Sequence, residues 1–278
     1  MSAVSERSGF EERRRALLAG IARHDRIAVA FSGGVDSSVL LHAAHAALGD
    51  RALAVVADSP SLPRRELEEA RQVAREIGAE LVEVRTDELG DERYSRNDGQ
   101  RCYFCKHALF DAMVLVARER GIPALAFGKI RDDALDDRPG ERAAGELGVL
   151  APLDDAAFSK IDVRRYAREA GISVADKPAS ACLASRIPRG TRVTADRLAT
   201  VEAAEGELRE LGLRQLRVRH RGELARVEVG ADEWSRLTAL ESEVRARLAA
   251  LGFREVELAV YRAPAEALAL RDRDPADE

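Results

Sequence analysis

The sequence predicts an α/β protein: a parallel-sheet domain over residues 1–176, then a smaller α+β domain over 177–278. Three observations carry this. Short apolar runs alternate with helical patterns through the first half, the βαβ rhythm of a parallel sheet with helices on both faces. The runs are rich in Val, Leu, Ile and Ala, as strands buried on both sides require. After Ala175 the rhythm stops, and an aperiodic stretch leads into two strands flanked by helices.

Taken in order, residues 27–31, 52–57, 80–84 and 124–127 are the expected strands. Residues 37–48, 62–77 and 104–120 are the helices between them. Arg138-Pro139-Gly140 marks a loop, a helix is expected from Glu141, a short run at 149–150 follows, and another helix covers 159–170. Residues 176–190 have no steady period and carry Cys182, Arg186 and Arg189 with Pro178 and Pro188. Such a segment inside a compact protein is often a site or a linker. A helix over 194–211 comes next, then strands 214–219 and 223–229 around a turn at 220–222, two helical patterns and a final run at 256–260. The first residues look like a frayed lead-in, and the polar tail 271–278 looks loose.

Apolar residues make up 46% of the chain and aromatics only 4%, so Leu, Val, Ile and Ala must fill the core. The net charge of −5 argues against extensive nucleic-acid binding while leaving room for a local basic pocket. No apolar run is long enough to cross a bilayer and no secretory signal opens the chain, so no membrane partner and a cytoplasmic location are expected. The three cysteines are an odd number, which disfavours a disulfide framework.

Ser32-Gly33-Gly34-Val35-Asp36-Ser37-Ser38 joins the first strand to the first of these helices. Two glycines permit a tight turn and a close backbone approach to an anion. Successive N–H groups and the positive end of the new helix would face it, and Ser32, Ser37 and Ser38 add hydroxyls. No Gly-Lys-Ser/Thr follows, so this is not the Walker-type loop. The bland alternative is a capped strand–helix turn. Ligands of parallel sheets sit beyond the strand C-termini, where Ser32, Asp58 and Gly128 fall. Asp58-Ser59-Pro60 either lines a nucleotide or makes a turn. Asp132-Asp133 and Asp136-Asp137 either help to hold Mg2+, with Asp132 the better placed, or form a solvated acidic turn.

Cys102 and Cys105 stand two residues apart, a spacing used by metal and redox sites but weak alone. With Cys182 they make a three-thiolate site conceivable for iron–sulfur or zinc; ordinary thiols are the alternative. Lys177 and Arg186 near Cys182 would favour its thiolate, against the reading of a buried inert cysteine. Arg217 and Arg219 alternate with apolar residues and share one face of a strand. That face either clamps a phosphate or is a charged edge. Glu228 faces the same pocket or water, and His220 is a turn residue.

These features together resemble the LarE family of the PP-loop ATP pyrophosphatase superfamily. The loop signature places the chain in the superfamily. The run from Asp176 through Pro178, Cys182 and Arg186 to Pro188, with Arg217-Val218-Arg219-His220, carries the closer resemblance, which spans residues 18–261. It implies adenylation of a carboxylate of pyridinium-3,5-biscarboxylic acid mononucleotide, release of pyrophosphate, and displacement of AMP by sulfur. Two rounds would yield the dithiocarboxylate of the nickel-pincer nucleotide used by lactate racemase. The resemblance implies ATP against Ser32, Gly33, Gly34, Asp36, Ser37 and Ser38, and Arg217 and Arg219 on the substrate phosphate. It also implies a homo-oligomer, a hexamer in the family pattern. The family has two sulfur strategies: a sacrificial cysteine at the position of Cys182, or three cysteines holding a 4Fe-4S cluster that carries a transferable sulfide. Cys102 and Cys105 beside Cys182 favour the cluster form, fed by sulfide or a sulfur-donor system. Rival readings are another PP-loop enzyme, such as a tRNA thiolase or an amide-forming ligase, and a non-catalytic nucleotide-binding regulator.

Overall fold

The computed structural model describes residues 3–135, 139–178 and 180–261. Two compact units divide the chain, the first ending at Cys182 and the second beginning at Leu183. The expected boundary at 176/177 therefore falls six residues early. The reason is electrostatic: Lys177 is bonded to Glu66 and Glu69, and Ser180 to Glu66, so the segment up to Cys182 is held by the first unit.

The first unit opens with a helix, α1 (Ala3–Ile21). Helix α1 runs through part of the expected frayed lead-in and buries Phe10, Leu17 and Ile21 in the core, while Met1 and Ser2 lie outside the described residues. Strand β1 (Ile27–Ala30) runs into the glycine loop and helix α2 (Val35–Leu48). Strand β2 (Ala52–Asp58), helix α3 (Arg64–Ile77) and strand β3 (Glu80–Arg85) follow. A short helix α4 (Glu92–Ser95) precedes α5 (Arg101–Arg120) and strand β4 (Ala124–Phe127). Then come α6 (Pro139–Glu146), α7 (Pro152–Asp155) and α8 (Lys160–Glu169). Pro139, expected in a loop, starts α6, as Pro does readily where an N–H has no partner anyway. Arg138, Asp136 and Asp137 lie outside the described residues, as does the 271–278 tail.

The strands are parallel in the order β3-β2-β1-β4. β3 is an edge strand, and its Glu80, Glu83 and Arg85 supply the charge that keeps an edge from pairing further. On the far side, residues 149–150 extend the sheet through a bridge between Ala126 and Leu150. One apolar cluster joins α1, α2 and α8 on one face of the sheet; another joins α5 and α6 on the other. The chain builds outward from β1 through β2 to β3 and returns to β4 on the opposite side of β1. That reversal makes the C-terminal ends of β1 and β4 the crevice where ligands of such sheets bind.

The second unit packs α9 (Ala195–Glu210), α10 (Trp234–Ala239) and α11 (Glu241–Ala250) with strands β5 (Leu216–Arg221), β6 (Leu224–Val229) and β7 (Glu255–Val260). β5 and β6 form a hairpin, and β7 adds parallel to β6. Leu216, Val218, Ala225, Val227 and Val229 share the inner face with Leu208, Leu237, Val244 and Leu248. Among the described residues no helix is long and apolar enough to cross a membrane.

A charged knot sits in this second core. Glu205 is 1% exposed and receives Arg186 Nε at 2.8 Å, Arg209 Nη2 at 2.9 Å and the Val218 N–H at 3.2 Å. One carboxylate thus ties α9 to β5 and to the turn at Leu183–Arg186. Removing it strands a buried guanidinium. Glu205→Ala should lower the stability of this unit by about 3–5 kcal/mol. The fluorescence of Trp234, the chain's single Trp, read during urea unfolding measures this, because Trp234 packs against that core.

Candidate active site

The loop is shaped by two close approaches that only glycine allows. Gly33 adopts φ +68°, and a Cβ there would lie 2.9 Å from the Cα and Cβ of Ala70 on α3. A Cβ on Gly128, just after β4, would lie 2.9 Å from the Ser37 nitrogen. The first turn of α2 is therefore clasped between α3 and the end of β4. Gly34 caps α2, whose positive end opens at the crevice.

The loop serines divide their work. Ser37 Oγ donates to Gly34 O at 3.0 Å and Ser38 Oγ to the same oxygen at 2.9 Å. Ser37 and Ser38 are buried, so their hydroxyls brace the turn rather than line the crevice, contrary to the expectation of hydroxyl donors for a ligand. Ser32, Gly34, Val35 and Asp36 do line a cavity of about 300 Å³, together with Glu66, Lys160, Lys177, Ser180 and Cys182. Gly33, Asp58 and Gly128 shape the structure behind it. Asp58 pairs with Arg64, which also donates to the carbonyls of Ser59 and Leu62 and so closes the turn before α3.

Lys160 escaped the sequence reading. Its Nζ lies 2.8 and 2.7 Å from the two Asp36 oxygens, and its own N–H donates to Asp132 at 2.7 Å. Ser159 and Asp162 form a capping box, which fixes Lys160 as the first residue of α8. That local signal was in the sequence. The 124-residue jump to Asp36 was not. Lys160 thus meets Asp36 through its ammonium and Asp132 through its backbone N–H, beside the glycine loop. Asp36 and Asp132 have the hard oxygens Mg2+ prefers, and Lys160 holds them near one another.

The thiols occupy one neighbourhood of the first unit. Cys102 is exposed at the start of α5, and Cys105 and Cys182 are half-buried. Burial pushes the Cys105 thiol well up, and Glu88, Cys182 and Cys102 push it further, against the opposing charge of Arg101. Burial likewise raises the Tyr94 phenol, with Cys182, Cys105 and Glu88 adding to the effect. Tyr94 is itself bonded to Ser61. Glu88 is 2% exposed; Thr86 donates to its Oε2 at 2.9 Å, and its Oε1 has no hydrogen-bond partner. Among the described residues, no three His, Cys, Asp or Glu side chains are gathered closely enough to hold a metal ion. The three thiols are soft donors of the type an iron–sulfur group takes.

In the second unit the alternation of β5 puts Arg217 and Arg219 on the face opposite the core, as expected. Arg219 Nε donates to Glu228 at 2.9 Å and its Nη1 to Ser185 O at 2.8 Å. Arg226 pairs with Glu228 at 3.3 Å and Glu257 at 2.7 Å. The Arg217 guanidinium lies 4.0 Å from the centre of the Tyr261 ring. Arg186, expected to act in the reaction, is instead buried against Glu205, because a cation in that core needs its carboxylate.

A glycine-rich loop joins a buried parallel strand to a helix N-terminus at the switch point of the sheet, the place where ligands of open α/β proteins bind. No protein-family model matches the chain. Curated relatives do. The chain is 37% identical over 243 residues to pyridinium-3,5-bisthiocarboxylic acid mononucleotide synthase of Lactiplantibacillus plantarum, covering 87% of this chain and 88% of that protein. It is 41% identical over 209 residues to an uncharacterized protein of Synechocystis sp., covering 75% and 78%. Glutamine-hydrolyzing GMP synthase of Chlamydia caviae is 31% identical over 118 residues, 42% of this chain and 23% of that one. The chain belongs to the LarE family of the PP-loop ATP pyrophosphatase superfamily.

The raised Cys105 thiol has a direct consequence. In metal-free protein at pH 8, Cys105 should react with iodoacetamide at least about tenfold more slowly than exposed Cys102. The thiolate is the nucleophile, so the gap should narrow as rising pH approaches the elevated pKa. Residue-resolved mass spectrometry of a pH series checks this.

Proposed function

We propose that this protein is an ATP-dependent sulfurtransferase that converts the carboxylates of pyridinium-3,5-biscarboxylic acid mononucleotide to thiocarboxylates. The observation that carries the reading is that one cavity holds both the phosphate loop and Cys182. The relative named for the bisthiocarboxylic product, matched over most of both chains, supports the choice of substrate.

A carboxylate is a poor acyl electrophile because its oxygen leaves badly. Attack of a substrate carboxylate oxygen on the α-phosphorus of ATP forms an acyl adenylate and expels pyrophosphate. A sulfur nucleophile then adds to the acyl carbon, the C–O bond to AMP breaks, and a thiocarboxylate remains. The loop N–H groups and the α2 terminus would take the growing negative charge on pyrophosphate. Asp36 and Asp132 would hold Mg2+, which supplies Lewis-acid stabilisation of that charge. Lys160 would leave Asp36 for the polyphosphate as the metal enters. Arg217 and Arg219 would hold the substrate phosphate by charge-assisted hydrogen bonds, with Glu228 orienting Arg219.

Cys102, Cys105 and Cys182 would hold a 4Fe-4S cluster, whose chemistry when bound is the supply of sulfide. A second reading rests on a specific observation: Cys182 lines the loop cavity whereas Cys102 and Cys105 do not. There Cys182 itself would be the sulfur donor, becoming dehydroalanine.

Anaerobically reconstituted protein given ATP, Mg2+, sulfide and the mononucleotide should form AMP, pyrophosphate and thiolated product together. The absence of all three at verified iron loading would overturn the proposal. Asp36→Asn should cut AMP formation by about a hundredfold with iron content retained. Cys102→Ala or Cys105→Ala should lose iron and acid-labile sulfide while ATP affinity stays within about twofold. Intact-protein mass after one turnover separates the two sulfur sources: loss of H2S from the chain marks the Cys182 donor, and an unchanged mass marks the cluster.

A further inference from the structure

At Lys177, Pro178, Ser180, Ala181 and Cys182 the chain has neither helix nor strand to hold it, yet this segment carries the thiol that lines the loop cavity. Side chains hold it instead. Glu66 splits its carboxylate: Oε2 lies 2.5 Å from Lys177 Nζ, and Oε1 accepts from Ser180 Oγ at 2.8 Å. Glu69, one turn of α3 on from Glu66, adds a second carboxylate on Lys177 at 2.7 Å. Lys177 and Glu66 are about 15% and 17% exposed, sheltered enough for these bonds to carry weight. Burial pushes the Glu69 carboxyl up, but Lys177 and Arg65 outweigh it and hold it below the usual range.

Glu66 stands in the first turn of α3, where the helix dipole favours an anion. Ala70 is one turn further along the same face. It is Ala70 that Gly33 meets at a distance no side chain would tolerate. The helix is locked to the core by Leu67, Ala70, Val73 and Ala74. A single rigid turn of α3 therefore touches the phosphate loop at one end and grips the segment bearing Cys182 at the other.

We infer that Glu66 is a positioning residue that sets the distance between the phosphate loop and Cys182, with Lys177 and Ser180 as the two points it grips. The inference rests on the proposed sulfur transfer for its catalytic consequence and on the geometry alone for its physical one. Both sulfur routes need Cys182 at a defined distance from the activated carboxylate, as cluster ligand or as donor. Misplacing a reacting group by about 1 Å costs on the order of a hundredfold in rate.

The test uses the metal-free full chain and iodoacetamide, with the labelling rate of Cys182 read by mass spectrometry. Glu66→Ala should speed labelling of Cys182 by about tenfold, the worth of a charge-assisted hydrogen bond, with labelling of Cys102 unchanged within about twofold. Glu66→Gln retains an acceptor for Ser180 but not the charge for Lys177, and should give about threefold. In the loaded enzyme, Glu66→Ala should lower kcat for thiolation. Unchanged Cys182 labelling in Glu66→Ala overturns the inference, and so does an equal rise in Cys102 labelling. Should Glu66→Ala fail to fold, Ser180→Ala and Lys177→Met release the grip one point at a time, and equal labelling in both and in the wild type overturns it. Labelling needs no turnover. A chain that makes no thiolated product but shows the labelling change loses the sulfur-transfer reading and keeps the positioning role.

Discussion

The first unit depends on a close backbone approach. α2 begins where Gly33 lies against Ala70 and Gly128 against Ser37, each at a separation that a methyl group would violate. Those two contacts fix the first turn of α2 between α3 and the end of β4, and with it the direction in which the helix N–H groups point. An anion site made of backbone donors has no side chains to adjust, so its precision comes from the packing around it. The buried serine hydroxyls serve the same end by tying α2 back onto Gly34.

Around that loop the charges come in opposed pairs. Lys160 Nζ is set against Asp36, and Lys177 against Glu66 and Glu69. Paired, each lysine is held in place at the wall of the cavity. The second unit treats charge differently. Glu205 and Arg186 are sealed in the core with their hydrogen bonds made internally, which serves architecture. Arg217, Arg219 and Arg226 on the outer face of the small sheet outnumber Glu228 and Glu257, and so keep a cationic surface.

The thiols differ in their settings. Cys182 borders the loop cavity, and Cys105 is desolvated beside Glu88 and Tyr94. A desolvated thiol resists ionisation alone and yields its proton readily only to a metal, because the bound cation replaces the lost hydration. A cysteine of this kind suits ligation better than free nucleophilic attack.

Much of this could be read from the residues. The strands at 27–31, 52–57 and 124–127, the loop between Ser32 and Ser38, and the shared face of Arg217 and Arg219 all follow from local period and composition. Local signals also misled: the polar opening residues hid the buried stripe of Phe10, Leu17 and Ile21, and Arg186 looked reactive because its partner Glu205 stands nineteen positions away. What the sequence determined by itself is what depends on neighbours along the chain: element type, the glycine-made loop, and the kinds of atom available for chemistry. Only the tertiary structure decided which of those atoms meet. Lys160 reaches Asp36 across 124 residues and Ser180 reaches Glu66 across 114. No periodicity encodes such pairs, since they arise from the order in which the strands are laid side by side.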